Sequence, residues 1–552
     1  MNYGVISQYL FIVISFAIFM PFGNTNFAKP YIHILQLENY KVDEYKKWTA
    51  GNKKYLVKQA IALIPLIVYG TIGLFIPDGI NNSFATFLMM AGSIFYFAVS
   101  GLYYTIVTRK KFKKELVITE RVKRLIGRIR VISGVIWGVL SCFSFFIAIN
   151  SNILVFYLLV MLPTLIMPQL VAFAAKSVEK NEEKIKQKYY DEAKDKIDDM
   201  EDLIKIGITG SYGKTSTKFI LATILSEKYN TLATPYSYNT PMGVVRVIRE
   251  QLQDTHEVFI AEMGAKQVGD IKELCDLVEP QYGLISSIGP QHLETFGSLE
   301  NIIKTKYELI EELPDDGVGF FPIDNEICRM LYDKTSKKKI AYSLNGLEGY
   351  ETPLKIKDYC IKTTGSSFTL TDGKDEVFCQ TILLGKHNIE NILGCATVAY
   401  EMGLTLEEIK RGIWKVQTIE HRLQIVPTKN GVTVIDDAFN SNPAGTRAAI
   451  DVLSNFDGRK IVVTPGMVEL GDQEIEENKN FGCYMADKID FAILVGPKHS
   501  EPIREGLIEN GFKSENIITV KSLDDATAEL SKITRRNDIV LFENDLPDNY
   551  DE

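Results

Sequence analysis

No two of the seven cysteines, at positions 142, 275, 328, 360, 379, 395 and 483, stand in a CxxC pair. Zinc ribbons and a disulfide framework are therefore set aside, and reduced thiols are the plain reading. A basic excess is also lacking: 61 Lys and Arg stand against 70 Asp and Glu, for a formal net charge of −9. Nucleic-acid binders carry a basic footprint, so this class is excluded as well. Ionisable residues are almost absent from five stretches, 6–22, 59–77, 84–107, 131–150 and 153–175. Each approaches the roughly 20 apolar residues that a bilayer span needs, so they predict about five membrane helices within 1–175. The same shortage of charge argues against an ion or proton path through them. The first stretch has neither a preceding basic segment nor a small-residue cleavage site, and reads as a retained helix rather than a signal peptide.

What is present sets an orientation and a domain order. The segment "TRKKFKKELVITERVKRLIGRIR" (108–130) is densely basic, as is the loop with Lys41, Lys46, Lys47, Lys53, Lys54 and Lys58. Both belong on the cytoplasmic side of a membrane, which carries everything after 175 to the cytoplasm, where ATP is. Residues 176–203 are almost wholly polar, with Glu/Lys pairs four apart, and predict a solvated linker helix. Apolar strands then alternate with amphipathic helices, which is the α/β pattern. A central domain is expected over 204–415, with a β-hairpin insertion near 350–380, and a second Rossmann-like domain over 416–552.

The chemistry concentrates at "GITGSYGKTSTKFIL" (207–221), a glycine-punctuated turn between a buried strand and a helix. Gly210 and Gly213 let the backbone turn its N–H groups inward, Ser211 and Ser216 flank the turn, and the helix start adds partial positive charge. Lys214 can reach β- and γ-phosphates, and the Thr215 hydroxyl can ligate Mg²⁺. The spacing is not GxxxxGK[ST], because Ile208 stands where the first glycine would be. The strand "HEVFIAEMGA" (256–265) carries Glu262 near its end, the place for a metal-binding carboxylate in such folds. His292 follows another strand, and a lone histidine there is commonly structural.

In order along the chain stand TGSxGKTS, "NTPMG" (239–243), "EMGA", "GPQHLETFGS" and "KTKYELI". Beyond them come "LLGKHNIENILG", "EHRLQIV", "VIDDAFNSNPAGTRAAI" and "VTPGMVELG" (463–471). This series, over roughly 204–490, resembles the Mur ligase family. The resemblance implies a central P-loop Mur-ligase ATPase domain and a C-terminal Rossmann-like Mur-ligase domain, preceded here by a multi-pass α-helical membrane domain. It implies an ATP-dependent ligase of cell-envelope synthesis, in which a substrate carboxylate is activated as an acyl phosphate and attacked by an amine such as D-Ala-D-Ala.

On the same resemblance Lys214 and the loop N–H groups hold phosphate, and Thr215 and Glu262 take one Mg²⁺. His292 helps hold a second Mg²⁺, and Lys306 occupies a position carbamylated in several relatives; the alternative for Lys306 is a plain surface lysine beside Lys304. Asn388 and Asn391 fall near adenine, and Arg422 and Asp437 close over the nucleotide. Asn239 and Thr240, with Asn440 and Asn442, fall on the substrate side; for the asparagines, turn formation and capping is the competing reading. Two departures concern the substrate. Residues 1–203 stand where relatives carry a domain that grips a uridine nucleotide, and "VLFENDLPDNYDE", with Glu543, Asp545 and Asp548, replaces a basic KGSR-like segment. A lipid-linked or polymeric acceptor is therefore an alternative, alongside two other classes, a membrane NTPase coupled to transport and a non-catalytic scaffold in an envelope-synthesis complex.

Overall fold

The structure, a computed structural model, describes residues 3–72, 82–108, 115–148, 163–426, 428, 431–439 and 441–545. The chain divides into two compact units, Met1–Gln187 and Lys188–Glu552.

The first unit is helical: α1 (Tyr3–Leu37), α2 (Val42–Gly51), α3 (Lys54–Ile72), α4 (Asn82–Thr108) and α5 (Glu120–Ala148), followed by α6 (Met167–Asp198). Its interior holds polar groups that satisfy one another. Asn24 Nδ2 donates to Ser133 Oγ at 3.0 Å, the Tyr96 hydroxyl donates to Asn24 Oδ1 at 3.2 Å, and the Tyr31 hydroxyl donates to Gln59 Oε1 at 2.8 Å. These sit within an apolar core that includes Phe27, Ile32, Leu63, Leu125 and Trp137, and further large apolar side chains point outward, as Val57, Ile61, Ile64 and Val68 on α3 and Val131, Val135 and Val139 on α5.

The expectation of five membrane helices is corrected here: among the described residues no helix is long and apolar enough to cross a membrane. The expected span 131–150 continues a helix that opens with Glu120, Arg121, Lys123, Arg124, Arg128 and Arg130. The first span lies in a helix that also contains Pro21, Lys29 and Pro30. Of the expected spans 59–77 and 153–175, the parts 73–77 and 153–162 lie outside the described residues.

In the second unit, β1 (Ile204–Thr209) and β3 (Val258–Glu262) are apolar runs buried on both faces, as strands of a covered parallel sheet are. With β2 (Thr231–Ala233), β4 (Tyr282–Ile285), β5 (Val318–Pro322) and β6 (Lys338–Tyr342) they form a parallel sheet of order β2-β3-β1-β4-β5-β6. Strand β1 thus lies between β3 and β4, so the loop that follows it opens at the crevice where the strand order reverses. The connecting helices are α7 (Lys214–Leu225), α8 (Pro241–Glu250), α9 (Asp270–Val278), α10 (Leu293–Phe296), α11 (Leu299–Glu311) and α12 (Glu326–Lys334).

The expected hairpin insertion is a three-stranded antiparallel sheet of β7 (Lys355–Lys362), β8 (Gly365–Thr371) and β9 (Glu376–Thr381). Alternating burial along β9, with Val377, Cys379 and Thr381 inward, gives it a half-buried face of its own and makes it the third strand. Helices α13 (Lys386–Glu401) and α14 (Leu406–Lys415) follow. A second sheet then runs β10-β11-β15-β12-β13-β14, built from β10 (Gln424–Val426), β11 (Thr433–Asp437), β12 (Lys460–Thr464), β13 (Phe491–Val495), β14 (Ile517–Val520) and β15 (Ile539–Glu543). Only β10 pairs antiparallel, with β11, and the other pairs are parallel. Helix α15 (Pro443–Ser454) follows β11 directly, so the C-terminal end of this sheet also opens onto a helix start.

Candidate active site

The turn after β1 is built so that a side chain cannot replace either glycine cheaply. Gly213 has φ +78°, and a Cβ there would meet Asn391 Oδ1 at 3.0 Å. Gly210 has φ +150°, and a Cβ there would lie 2.2 Å from Ser286 Oγ and 2.8 Å from the Ser287 carbonyl. The loop is tied to the strand end beside it. Ser211 N donates to Ser287 O at 2.6 Å, and Ser211 Oγ donates to Gly289 O at 2.8 Å. Lys214 folds over the turn, its Nζ donating to Gly210 O at 2.7 Å and Ser211 O at 3.1 Å. Burial lowers its pKa to about 8; the Glu262 carboxylate opposes the shift and the Arg422 guanidinium adds to it.

Glu262, 1% exposed, is the hub of the site. Its Oε1 accepts from the Thr215 hydroxyl at 3.1 Å and from Asn239 Nδ2 at 3.0 Å, while Oε2 pairs with Lys218 Nζ at 2.9 Å. Among the described residues no group of three or more His, Cys, Asp or Glu is placed to hold a metal ion. The Thr215 hydroxyl and the Glu262 carboxylate do fit Mg²⁺, because this ion takes a few hard protein oxygens and fills its other positions with water and phosphate. His292 is not beside them in any hydrogen bond. Its Nδ1 is bonded to Glu469 Oε2, and both residues have left-handed backbones, at φ +53° and φ +65°. That contact holds the Glu469 carboxyl below its ordinary pKa. Lys306 lies on α11, 3% exposed, 5.8 Å from the Phe296 ring centroid, so it is not the surface lysine of the alternative reading. Its burial, with the Lys214 charge, drives its pKa well below the usual lysine value.

A cavity of about 230 Å³ joins the two halves of this unit. Gly213, Ser216, Asn388 and Asn391 line it from one half, and Arg422, Asp437 and Asn442 from the other. Two of these asparagines are also engaged locally. Asn388 Nδ2 donates to Leu384 O at 2.8 Å, and Asn442 caps α15 by accepting from Gly445 N at 2.8 Å. Asn391 Oδ1 accepts from Thr217 Oγ1 at 3.3 Å, which joins α13 to the phosphate-loop helix. Thr240 caps α8 by accepting from Gly243 N at 3.3 Å. Asn440 lies outside the described residues.

Arg422 stacks on Phe439, 4.3 Å from its centroid, and faces Asp437, which accepts from Leu423 N at 3.2 Å. Burial raises the Asp437 pKa to about 6 even though Arg422 pulls it down; neighbouring Asp436 pushes it up. Glu543, the register partner of Asp437 on β15, is buried and raised to about 8 by that burial; it accepts from Ser441 and, at 2.7 Å, from Thr464 Oγ1. Of the two acidic neighbours expected after Glu543, Asp545 is the last described residue and Asp548 lies beyond it.

Three residues of the site escape the motif reading. Lys218 sits one turn after Lys214, and the signal for it is a lysine within the helix's apolar run. His387 lies in the cavity wall, where burial and then Arg422 lower its pKa to about 4, so the ring is neutral at neutral pH. Glu469 stands inside the MVELG block and becomes visible only through its contact with His292.

A model described as "Mur ligase middle domain" matches residues 208–399, and one described as "Mur ligase, glutamate ligase domain" matches 421–543. The UDP-N-acetylmuramoyl-tripeptide–D-alanyl-D-alanine ligase of Bacillus subtilis (strain 168) is 28% identical over 340 residues, 61% of this chain and 72% of the relative. The enzyme of the same name from Escherichia coli (strain K12) is 31% identical over 317 residues, 57% of this chain and 69% of the relative. Among solved structures, MurF from Acinetobacter baumannii superposes with TM-score 0.60 at 24% identity, covering 66% of this chain and 78% of the other. MurF ligase from Thermotoga maritima in complex with ADP gives 0.58 at 23% identity, covering 65% and 80%. Identity at that level speaks for the fold, whereas the sequence relatives and the two domain matches carry the family. The phosphate loop, the carboxylate hub and a cavity closed by a second α/β domain thus belong to a member of the Mur ligase family, an ATP-dependent ligase that forms C–N bonds.

Proposed function

We propose that the protein activates the carboxylate of a cell-envelope peptide precursor with ATP and joins it to an amine, with a UDP-N-acetylmuramoyl-tripeptide and D-Ala-D-Ala as the first pair to consider. The observation that carries this reading is the cavity in which Arg422 and Asp437 face Gly213 and Ser216, with Arg422 close enough to Lys214 and Glu262 to interact with both charges. A carboxylate is a poor electrophile, and transfer of a γ-phosphoryl group to it makes an acyl phosphate that an amine can open, with phosphate leaving. Catalysis of such transfers is positioning plus neutralisation of charge. Lys214 and the loop N–H groups supply both at the phosphates. Thr215 and Glu262 would hold one Mg²⁺, whose chemistry is to neutralise charge on the transferring phosphate; a role for His292 at a second ion is part of the same proposal. Lys306 is proposed to be carbamylated, since CO₂ adds to a neutral amine with loss of a proton, and a lysine buried this way is readily neutral.

The ionisation of Asp437 gives a pH test. Its neighbours are Arg422 on the same side of the cavity, Asp436 on the same strand and Glu543 on β15. With a carboxyl near 6, the ionised partner that holds Arg422 is lost as pH falls through that value, so kcat/KM declines on the acid side of about 6. Arg422→Gln removes the charge that holds Asp437 down, so the residual activity carries its acid limb at higher pH. A limb that stays in place in the variant's pH–rate profile counts against this pairing.

The first unit is read as the membrane-facing part, with the catalytic unit in the cytoplasm. Support comes from the basic loops and from the exposed apolar row Val57, Ile61, Ile64 and Val68 on α3, which lies outside an already apolar core. This placement favours a second reading of the substrate, a lipid-linked envelope acceptor. The deciding experiment supplies UDP-N-acetylmuramoyl-tripeptide, D-Ala-D-Ala and ATP to the full chain in nanodiscs and follows ADP and product. Efficient turnover establishes the soluble pair and removes the lipid-linked reading. Recovery of the full chain in the soluble fraction, with no binding to vesicles that contain anionic lipid, removes the membrane placement.

A further inference from the structure

We propose that Lys218 is a positioning residue, which fixes the Glu262 carboxylate for the metal–phosphate site and registers the 234–240 loop to it. The inference rests on the nucleotide site described above and concerns a residue outside the phosphate-loop motif. Lys218 is fully buried, on the turn of α7 that follows Lys214. Its ammonium pairs with Glu262 Oε2 at 2.9 Å, donates to the Tyr236 carbonyl and lies 4.3 Å from the Phe219 ring centroid. With Oε2 occupied in this way, Oε1 is turned to Thr215 and Asn239. A buried ion pair contributes little net stability, because desolvation offsets the Coulomb gain, so its value here is in the orientation it imposes.

The second tie explains the loop. Tyr236 has a left-handed backbone, φ +47°, without being glycine, and its side chain is 76% exposed. A strained conformation of this kind persists when its surroundings over-determine it. The bond from Lys218 to its carbonyl is one such constraint, and three residues later Asn239 reaches Glu262 itself. One ammonium therefore links the phosphate-loop helix, the metal-side carboxylate and the loop that leads to α8.

The test is calorimetric and independent of the acceptor. ADP binding to the full-length protein is measured with Mg²⁺ and in EDTA, for the unaltered chain, Lys218→Met and Lys218→Arg. Outer partners of metal ligands typically govern about 10–100-fold in affinity. Both variants are expected to lose on the order of tenfold or more of the Mg²⁺-dependent gain in ADP affinity, while binding in EDTA stays unchanged. Lys218→Arg keeps a cation beside Glu262 and so retains the fold if Lys218→Met does not. A full Mg²⁺-dependent gain in a folded variant, with loss confined to melting temperature, makes Lys218 merely structural and overturns the proposal. No gain in the unaltered protein overturns it too, but by removing the metal reading of Thr215 and Glu262 on which it rests.

Discussion

Lys214→Ala is expected to lower ATP-dependent product formation by about 10²–10³-fold, the loss seen when one preorganised donor is removed from a developing charge. The side chain lies on the phosphate turn, bonded at 2.7 Å and 3.1 Å to the carbonyls of Gly210 and Ser211. Those bonds hold the ammonium over the turn at little reorganisation cost when it engages phosphate. Stability is expected to respond differently. Alanine removes two hydrogen bonds but also a cation that burial penalises, so the melting temperature near pH 7 changes little. The sign can be checked with pH. The folded-state pKa, about 8, lies below that of the unfolded chain, so between about 8 and 10.5 the unfolded chain binds more protons. The wild type therefore gains stability relative to the variant as pH rises through that window. ADP release and thermal melts on the same preparations separate the two effects. A fall in activity matched by an equal fall in folded protein would falsify the catalytic assignment.

How much of this was legible in the sequence depends on whether a residue's role is local. The phosphate turn is local: two glycines, a lysine and a hydroxyl between an apolar run and an amphipathic helix suffice, and the structure places them together. Glu262 is semi-local, since the end of an adjacent parallel strand is a position that the strand pattern predicts. Lys218 was legible only as a lysine out of place in an apolar run, and its role was not, because that role depends on a carbonyl at 236 and a carboxylate at 262 that only the fold brings to it. The pairing of His292 with Glu469, 177 residues apart, is beyond reach for the same reason. Asn442 shows the converse: in SNPAG it reads both as a site residue and as a helix cap, and the structure has it capping α15 while lining the cavity. The expected spans of the first unit misled in a different way. Hydropathy registers the apolar outward faces of α3 and α5 but not the polar contacts inside or the charged first turns of α5.

Gly210→Ala is expected to be as damaging as loss of the lysine, by a wholly different route. The motif explains why a glycine is useful there, but the structure shows why nothing larger fits. A Cβ at 210 would meet Ser286 Oγ at 2.2 Å and the Ser287 carbonyl at 2.8 Å. Ser286 could turn its hydroxyl away only by giving up its bonds to Tyr212 O and, at 3.2 Å, Thr209 O. The Ser287 carbonyl cannot turn at all without breaking the 2.6 Å bond it accepts from Ser211 N, which holds the turn closed. Relief must therefore come from the loop itself, at a φ of +150° that an L-residue rarely adopts. Overpacking of this kind costs about 1–3 kcal/mol, and the displaced loop moves the N–H groups and Lys214 together. Misplacement of about 1 Å costs on the order of 10²-fold in rate. Gly210→Ala should thus lose both stability, as a lower melting temperature, and ADP affinity in the presence and absence of Mg²⁺. That pattern separates it from Lys218→Met, which spares binding in EDTA. Wild-type ADP affinity in a folded Gly210→Ala protein would show that the turn tolerates a side chain and is not the phosphate cradle.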